Sequence, residues 1–172
     1  MVLAMTTRIL DIRRARPEDA AQIAKTHDTS WRQAYCGILP HRALERMVRR
    51  RGVEWWEKAI SRSTTILVAE INEEIAGYAT LGANRVDVLA PRGEVYEIYL
   101  RPEFQGVGLG TGLFLDARQE LARRRLKGTI VWVLSENEPA IRFYENAGGK
   151  PIAEGYERFD GKKLLKVAYG WD

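Results

Sequence analysis

The chain has 172 residues, 45% of them apolar and 29% charged, with a net charge of +4. That length suits one globular domain with a substantial core, and no apolar run approaches the ~20 residues that cross a bilayer. One cysteine and two histidines exclude a disulfide framework and a multi-cysteine zinc site and leave little for a histidine cage, so no metal is expected.

The first residues lack the apolar stretch of a secretory signal, so the cytoplasm is the expected compartment, with no membrane association. The basic runs at residues 49–51 and 123–127 are short and carry no interleaved aromatics, so the positive charge reads as a solvated surface and nucleic acid is disfavoured as a partner.

In chain order, residues 8–14 alternate as a strand. Pro17 opens a helix with Ala20, Ile23, Ala24 and His27 on one face. A second helical region, residues 43–60, is interrupted near Gly52. Residues 64–71 and 75–81 flank the turn Asn72-Glu73-Glu74 and read as a hairpin. A loop over 82–92 precedes a β-rich run at 94–101. Leu109, Leu113, Ala117 and Leu121 then put an apolar stripe on a helix running to about Arg125, which Gly128 stops. Residues 129–134 form a buried-type strand. Asn137 suits an N-cap, Pro139 the first turn, and Gly148 and Gly149 the end of the next helix. Strands at 151–159 and 163–170 surround Asp160-Gly161. The order is α/β, with an antiparallel start and one crossover helix between parallel strands.

The most informative segment is the glycine loop at 105–112. Glycines there let backbone N–H groups approach a ligand, and the helix N-terminus that follows adds partial positive charge, a combination that favours phosphate oxygens. The loop fails the Walker A pattern, because Thr111 stands where its second glycine belongs and no lysine follows. It also fails Gly-x-Gly-x-x-Gly from either Gly106 or Gly108.

Gln105, Gly108 and Gly110 do form Gln-x-x-Gly-x-Gly, and this segment resembles the acyl-CoA-binding loop of the GNAT superfamily of N-acetyltransferases. Residues 94–100 resemble the family's splayed strand, and Asn137, Ala140, Phe143 and Tyr144 its later helix. The likeness spans roughly residues 64–158. Ser30-Trp31-Arg32-Gln33-Ala34-Tyr35 with Gly37-Ile38-Leu39-Pro40, and the ending Val167-Ala168-Tyr169-Gly170-Trp171, resemble one bacterial branch. Gly149 departs from the phenylalanine many members carry, which removes an aromatic from near the acyl site.

The resemblance implies a single GNAT-like domain over 1–172: a central mixed sheet of about six to seven strands with flanking helices, and a cofactor half over about 93–150. It implies acetyl-CoA as cosubstrate, an amine acceptor (small molecule or peptide) attacked directly, and a homodimer. The loop residues Gln105, Gly106, Val107, Gly108, Leu109, Gly110 and Thr111 would bind the cofactor, with the backbone N–H groups of 106–110 on its pyrophosphate. Ile98, Tyr99 and Leu100 would pair with the pantetheine like an added strand, and the Leu100 N–H would polarise the thioester carbonyl. Asn137 would cap its helix, contact CoA, or do both.

Proton transfer needs a base for the amine and an acid for the thiolate, whose solution pKa is roughly 8.5. Tyr144 matches the family's acid. Glu94 is the leading base, with Glu97 and water as alternatives. Strand alternation puts Glu94 and Glu97 on opposite faces, Glu94 with Ile98 and Leu100. Trp31 and Tyr35 share a helix face and are candidate acceptor contacts. Cys36 has no histidine motif to activate it. The alternative to an enzyme is a non-catalytic acyl-CoA-binding sensor or regulatory module.

Overall fold

The computed structural model describes residues 10–62 and 64–172; residues 8 and 9 of the first expected strand lie outside them. The described residues form one seven-stranded sheet in the order β1-β2-β3-β4-β5-β7-β6. Its strands are β1 (Leu10–Arg14), β2 (Thr65–Ile71), β3 (Glu74–Ala83), β4 (Gly93–Leu100), β5 (Thr129–Leu134), β6 (Lys150–Phe159) and β7 (Lys162–Trp171). The helices are α1 (Ala20–Tyr35), α2 (His41–Arg50), α3 (Val53–Ser61), α4 (Leu109–Arg123) and α5 (Glu138–Asn146). The 43–60 region thus divides at Gly52 as its sequence suggests. The β2–β3 turn places Asn72 and Glu73 at positive φ, the geometry of a tight hairpin.

β2 is buried along almost its whole length because helices cover both sheet faces. On one face Leu67, Ala69, Ala79 and Val131 meet the α4 stripe of Leu113, Phe114, Ala117 and Leu121. On the other, Ile66, Val68 and Tyr78 meet Ile23 of α1 and Trp56 of α3. This two-sided burial supplies most of the stabilisation, at roughly 25 cal/mol per Å² of apolar surface.

Two irregularities of β4 shape everything that follows. Its parallel pairing with β5 extends only over Gly93↔Thr129 and Glu94↔Ile130, after which the strands part. Directly beyond that pair, the β3–β4 register steps from Leu81↔Val95 to Thr80↔Glu97, leaving Tyr96 as an extra residue. Such a bulge bends and twists its strand, here at the point where β4 leaves β5.

The bulge also resets side-chain alternation and corrects the expectation for the two carboxylates. Val95 packs with Ile98 and Leu100 on the α4 face. Glu94, Tyr96 and Glu97 all line a cleft on the opposite face. Glu94 and Glu97 therefore share a face, and Glu94 does not share one with Ile98 and Leu100, because one inserted residue shifts the period-2 pattern by one.

Candidate active site

The parting of β4 from β5 leaves a groove of about 640 Å³ on the α4 side, bounded by β4, the 105–111 loop, α5 and the end of α1. Arg101 N–H donates to Ala76 O of β3 at 2.8 Å, so alternation turns the Leu100 N–H and C=O toward the gap. The Leu100 carbonyl accepts from Ser30 Oγ and from Gln105 Nε2, both at 3.1 Å. Gln105, which also donates to Gln33, thereby ties the loop to the strand end and to α1.

Three glycines, Gly106, Gly108 and Gly110, divide by physical role. Gly106 (φ +79) and Gly108 (φ +82) adopt left-handed backbone conformations, and a Cβ on either would meet nothing within 4 Å. They are glycine for conformation, and the space beside them is open to a ligand. Gly110 is instead close-packed, since a Cβ there would lie 3.3 Å from Leu100 and 3.4 Å from Phe143. Gly106, Gly108, Gly110 and Thr111 border the groove. Val107 points to solvent and Leu109 into the core, so their side chains are not brought to it and only their backbone can serve.

Across the groove stands α5. Asn137 caps it by accepting from Ala140 N–H at 3.4 Å, and it lines the groove as well. Tyr144 is buried against Phe114, Phe143, Tyr169 and Trp171, yet it borders the groove. Burial raises its phenol well above the ordinary tyrosine value, which keeps the proton on oxygen at any working pH. Tyr144 is therefore both a packing residue and a group at the site.

The second cavity, about 440 Å³, opens on the other side of β4. Trp31 and Tyr35 of α1 line it together with Glu94 and Glu97, and Tyr99 borders both cavities. The Tyr35 and Tyr99 hydroxyls are hydrogen-bonded to each other. Burial pushes the Tyr35 phenol up to about 12. Helix α1 thus serves two sites: Ser30, Gln33 and Ala34 turn to the groove, Trp31 and Tyr35 to the cleft.

The two carboxylates differ in engagement. Glu94 is fully buried; it accepts from the Arg85 guanidinium at 2.8 and 3.3 Å and from the Arg85 backbone N–H at 3.0 Å. Glu97 is paired with Arg51 and accepts from Tyr78 Oη at 3.0 Å. Behind it, His27 Nδ1 lies 3.0 Å from the same Tyr78 oxygen. With the Tyr78 proton directed to Glu97, His27 must donate through Nδ1, leaving Nε2 bare, buried and without a hydrogen-bond partner. Burial, with the Arg51 charge adding to it, pushes the His27 pKa down to about 3, so the ring is neutral.

Arg51, Tyr78, Arg85, Tyr96, Trp132 and Lys166 were not legible as site residues. Only the i, i+3, i+4 placement of Ser30, Gln33 and Ala34 beside the Trp31–Tyr35 face carried a usable signal. Cys36 is exposed. In the basic run of α4, Arg123 and Arg124 are both paired with Glu120. Among the described residues no group of His, Cys, Asp or Glu is arranged to hold a metal, and no helix is long and apolar enough to cross a membrane.

The family model for the acetyltransferase (GNAT) family matches residues 26–148, and the chain belongs to that family. YuaI of Bacillus subtilis, an uncharacterized N-acetyltransferase, is 30% identical over 95% of this chain and 93% of its own length. The spermidine N(1)-acetyltransferase of Thermoplasma acidophilum is 24% identical, covering 82% of this chain and 88% of its own. Among solved structures, the fold is similar to the Thermoplasma acidophilum PaiA N-acetyltransferase in complex with coenzyme A (TM-score 0.74, 23% identity, 92% of this chain and 98% of that one). It is also similar to Salmonella typhimurium yncA with its cofactor acetyl-CoA (TM-score 0.70, 22% identity, 95% and 93%).

Proposed function

We propose that the protein transfers the acetyl group of acetyl-CoA directly to a primary amine, with the groove holding the cofactor and the cleft receiving the amine. The observation that carries this reading is the position of β4: its opened edge borders a glycine-floored groove, and its other side borders a cleft containing carboxylates.

In this reading the 106–110 backbone amides and the α4 N-terminus bind the pyrophosphate, where Gly106 and Gly108 leave space. The free edge over Ile98, Tyr99 and Leu100 pairs with the pantetheine amides. The Leu100 N–H donates to the thioester carbonyl and stabilises the oxygen as it becomes an oxyanion.

The amine attacks the thioester carbon, a C–N bond forms and the C–S bond breaks. The nitrogen's proton leaves through ordered water to a carboxylate, and Tyr144 donates its proton to the departing thiolate before regaining one from solvent. Between the two carboxylates Glu97 is the better base. It lies about 10 Å along β4 from Leu100 against about 20 Å for Glu94, and its side chain is 12% exposed where that of Glu94 is 1% exposed. Glu94 then organises the wall of the cleft.

A screen of amines for release of free CoA from acetyl-CoA tests the reading. CoA release that depends on acceptor, with the acetylated amine recovered by mass spectrometry, is expected. Tight acetyl-CoA binding without release for any acceptor would overturn it in favour of a sensing module.

A further inference from the structure

The charges lining the cleft cancel. Its three carboxylates, Glu94, Glu97 and Glu157, face three cations, Arg85, Arg51 and Lys166. Each is engaged within the cleft: Glu94 with Arg85 at 2.8 Å, Glu97 with Arg51, and Glu157 with Lys166 at 3.9 Å.

Each cation is also held on an aromatic face. The Arg51 guanidinium lies 4.6 Å from the Trp55 ring centre and 5.6 Å from that of Trp31. Arg85 lies 4.4 Å over Tyr96, and Lys166 Nζ 4.8 Å over Trp132. Stacking of this kind favours a cation's position by roughly 0.5–2 kcal/mol, so each positive group has a preferred seat on the wall beside its carboxylate. His27 behind them is neutral and adds no charge.

A cleft built this way discriminates by charge pattern. A ligand with several ammonium groups gains little, since beside each carboxylate stands a cation that repels it. A ligand carrying an ammonium and an anion a few bonds apart can lie antiparallel to one of these pairs and satisfy both of its members. The Arg51–Glu97 pair suits this role best. Both side chains are partly exposed, at 26% and 12%, and the planar guanidinium presents donors beyond the one given to Glu97. Glu97 is also the carboxylate nearer the thioester.

We propose that the acceptor is a small amphoteric amine, an amino acid or an analogue with an acidic group within a few bonds of the amine, whose anion is received by Arg51 while its amine is directed past Glu97. This rests on the acetyl-transfer reading above and adds the acceptor class to it.

The test measures kcat/KM for a panel of free α-amino acids, each beside its decarboxylated amine, with spermidine as the polycation. At least one amino acid is expected to exceed its decarboxylated partner, and spermidine, by tenfold or more. In Arg51→Met that ratio should fall toward one, mainly through KM, and Arg51→Lys should restore part of it. Acetyl-CoA calorimetry on each variant reports whether the fold and the groove persist. Equal or better turnover of plain amines or spermidine by the wild-type protein overturns the acceptor class and leaves acetyl transfer standing. Acetyl-CoA binding with no amine acetylated overturns both. The wild-type panel decides even if Arg51→Met fails to fold.

Discussion

The two cavities on either side of β4 are built from different materials. The groove is built around backbone, with positive-φ glycines, an opened strand edge and a helix N-terminus, and the side chains that line it are all uncharged. The cleft is made of side chains, three ion pairs against stacked aromatics. Backbone amides recognise what all acyl-CoA ligands have in common, whereas side chains can change from protein to protein without disturbing the sheet. In the proposed reading, this contrast is why the shared cosubstrate takes the groove and the individual acceptor the cleft.

Changes on the two sides should therefore separate in kinetics. The largest effect is expected for Tyr144→Phe, which keeps the ring and its packing. It should lower kcat on the order of 10²-fold with acetyl-CoA affinity little altered; unchanged kcat would make Tyr144 a packing residue and leave water to protonate the thiolate. Glu97→Gln should reduce kcat/KM for the acceptor by a few tens-fold and displace the pH–rate profile to higher pH, since more of the amine must then lose its proton to bulk solvent. Glu94→Gln should do so less, and the reverse ranking would return the base role to Glu94.

Gly108→Val places a β-branched residue at φ +82 and fills the space beside the loop. A rise of at least tenfold in the acetyl-CoA dissociation constant, about 1.4 kcal/mol, is expected by calorimetry on folded protein. Unchanged affinity would remove the loop from cofactor binding.

A separate effect, on stability rather than on kinetics or binding, concerns the residue behind the cleft wall. His27 is held neutral with a pKa near 3 against 6.5 for a free imidazole. Between those values the unfolded chain binds the additional proton. The His27 contribution is thus fully present above about 6.5 and is lost as pH falls, at a limiting ~1.4 kcal/mol per pH unit. Urea unfolding at pH 7, 6 and 5 should show that His27→Gln flattens this slope by close to one proton. An equal slope in both proteins would mean that His27 is charged in the native state.

The same contrast explains what the sequence made legible. The groove is written in short windows. Residues 105–111 and 137–144 each carry their meaning within eight positions, and the caps and glycine stops around them fix the elements. Among these glycines, Gly110 has a packing reason that spacing alone could not separate from a ligand reason.

The cleft is assembled over long range. Arg51 is 46 positions from Glu97, and although Arg85 is near Glu94 in sequence and Lys166 near Glu157, only the fold brings the three pairs to one cleft. The bulge at Tyr96 was illegible for a different reason. Residues 93–100 alternate acceptably with or without an inserted residue, and the choice is made by pairing to β3. Reading the strand as regular therefore put Glu94 and Glu97 on opposite faces.

The division of labour across β4 is tested most directly by a crystal structure with coenzyme A. Among the described residues, two other places present cations to its phosphates: the cleft, with Arg51, Arg85 and Lys166, and a pocket lined by Arg14, Arg62 and Arg124. The expected result is a pyrophosphate against the 106–110 amides, with the pantetheine along residues 98–100 and the sulfur facing Tyr144. Phosphates seated on the arginines of the cleft, with the glycine loop empty, would contradict it.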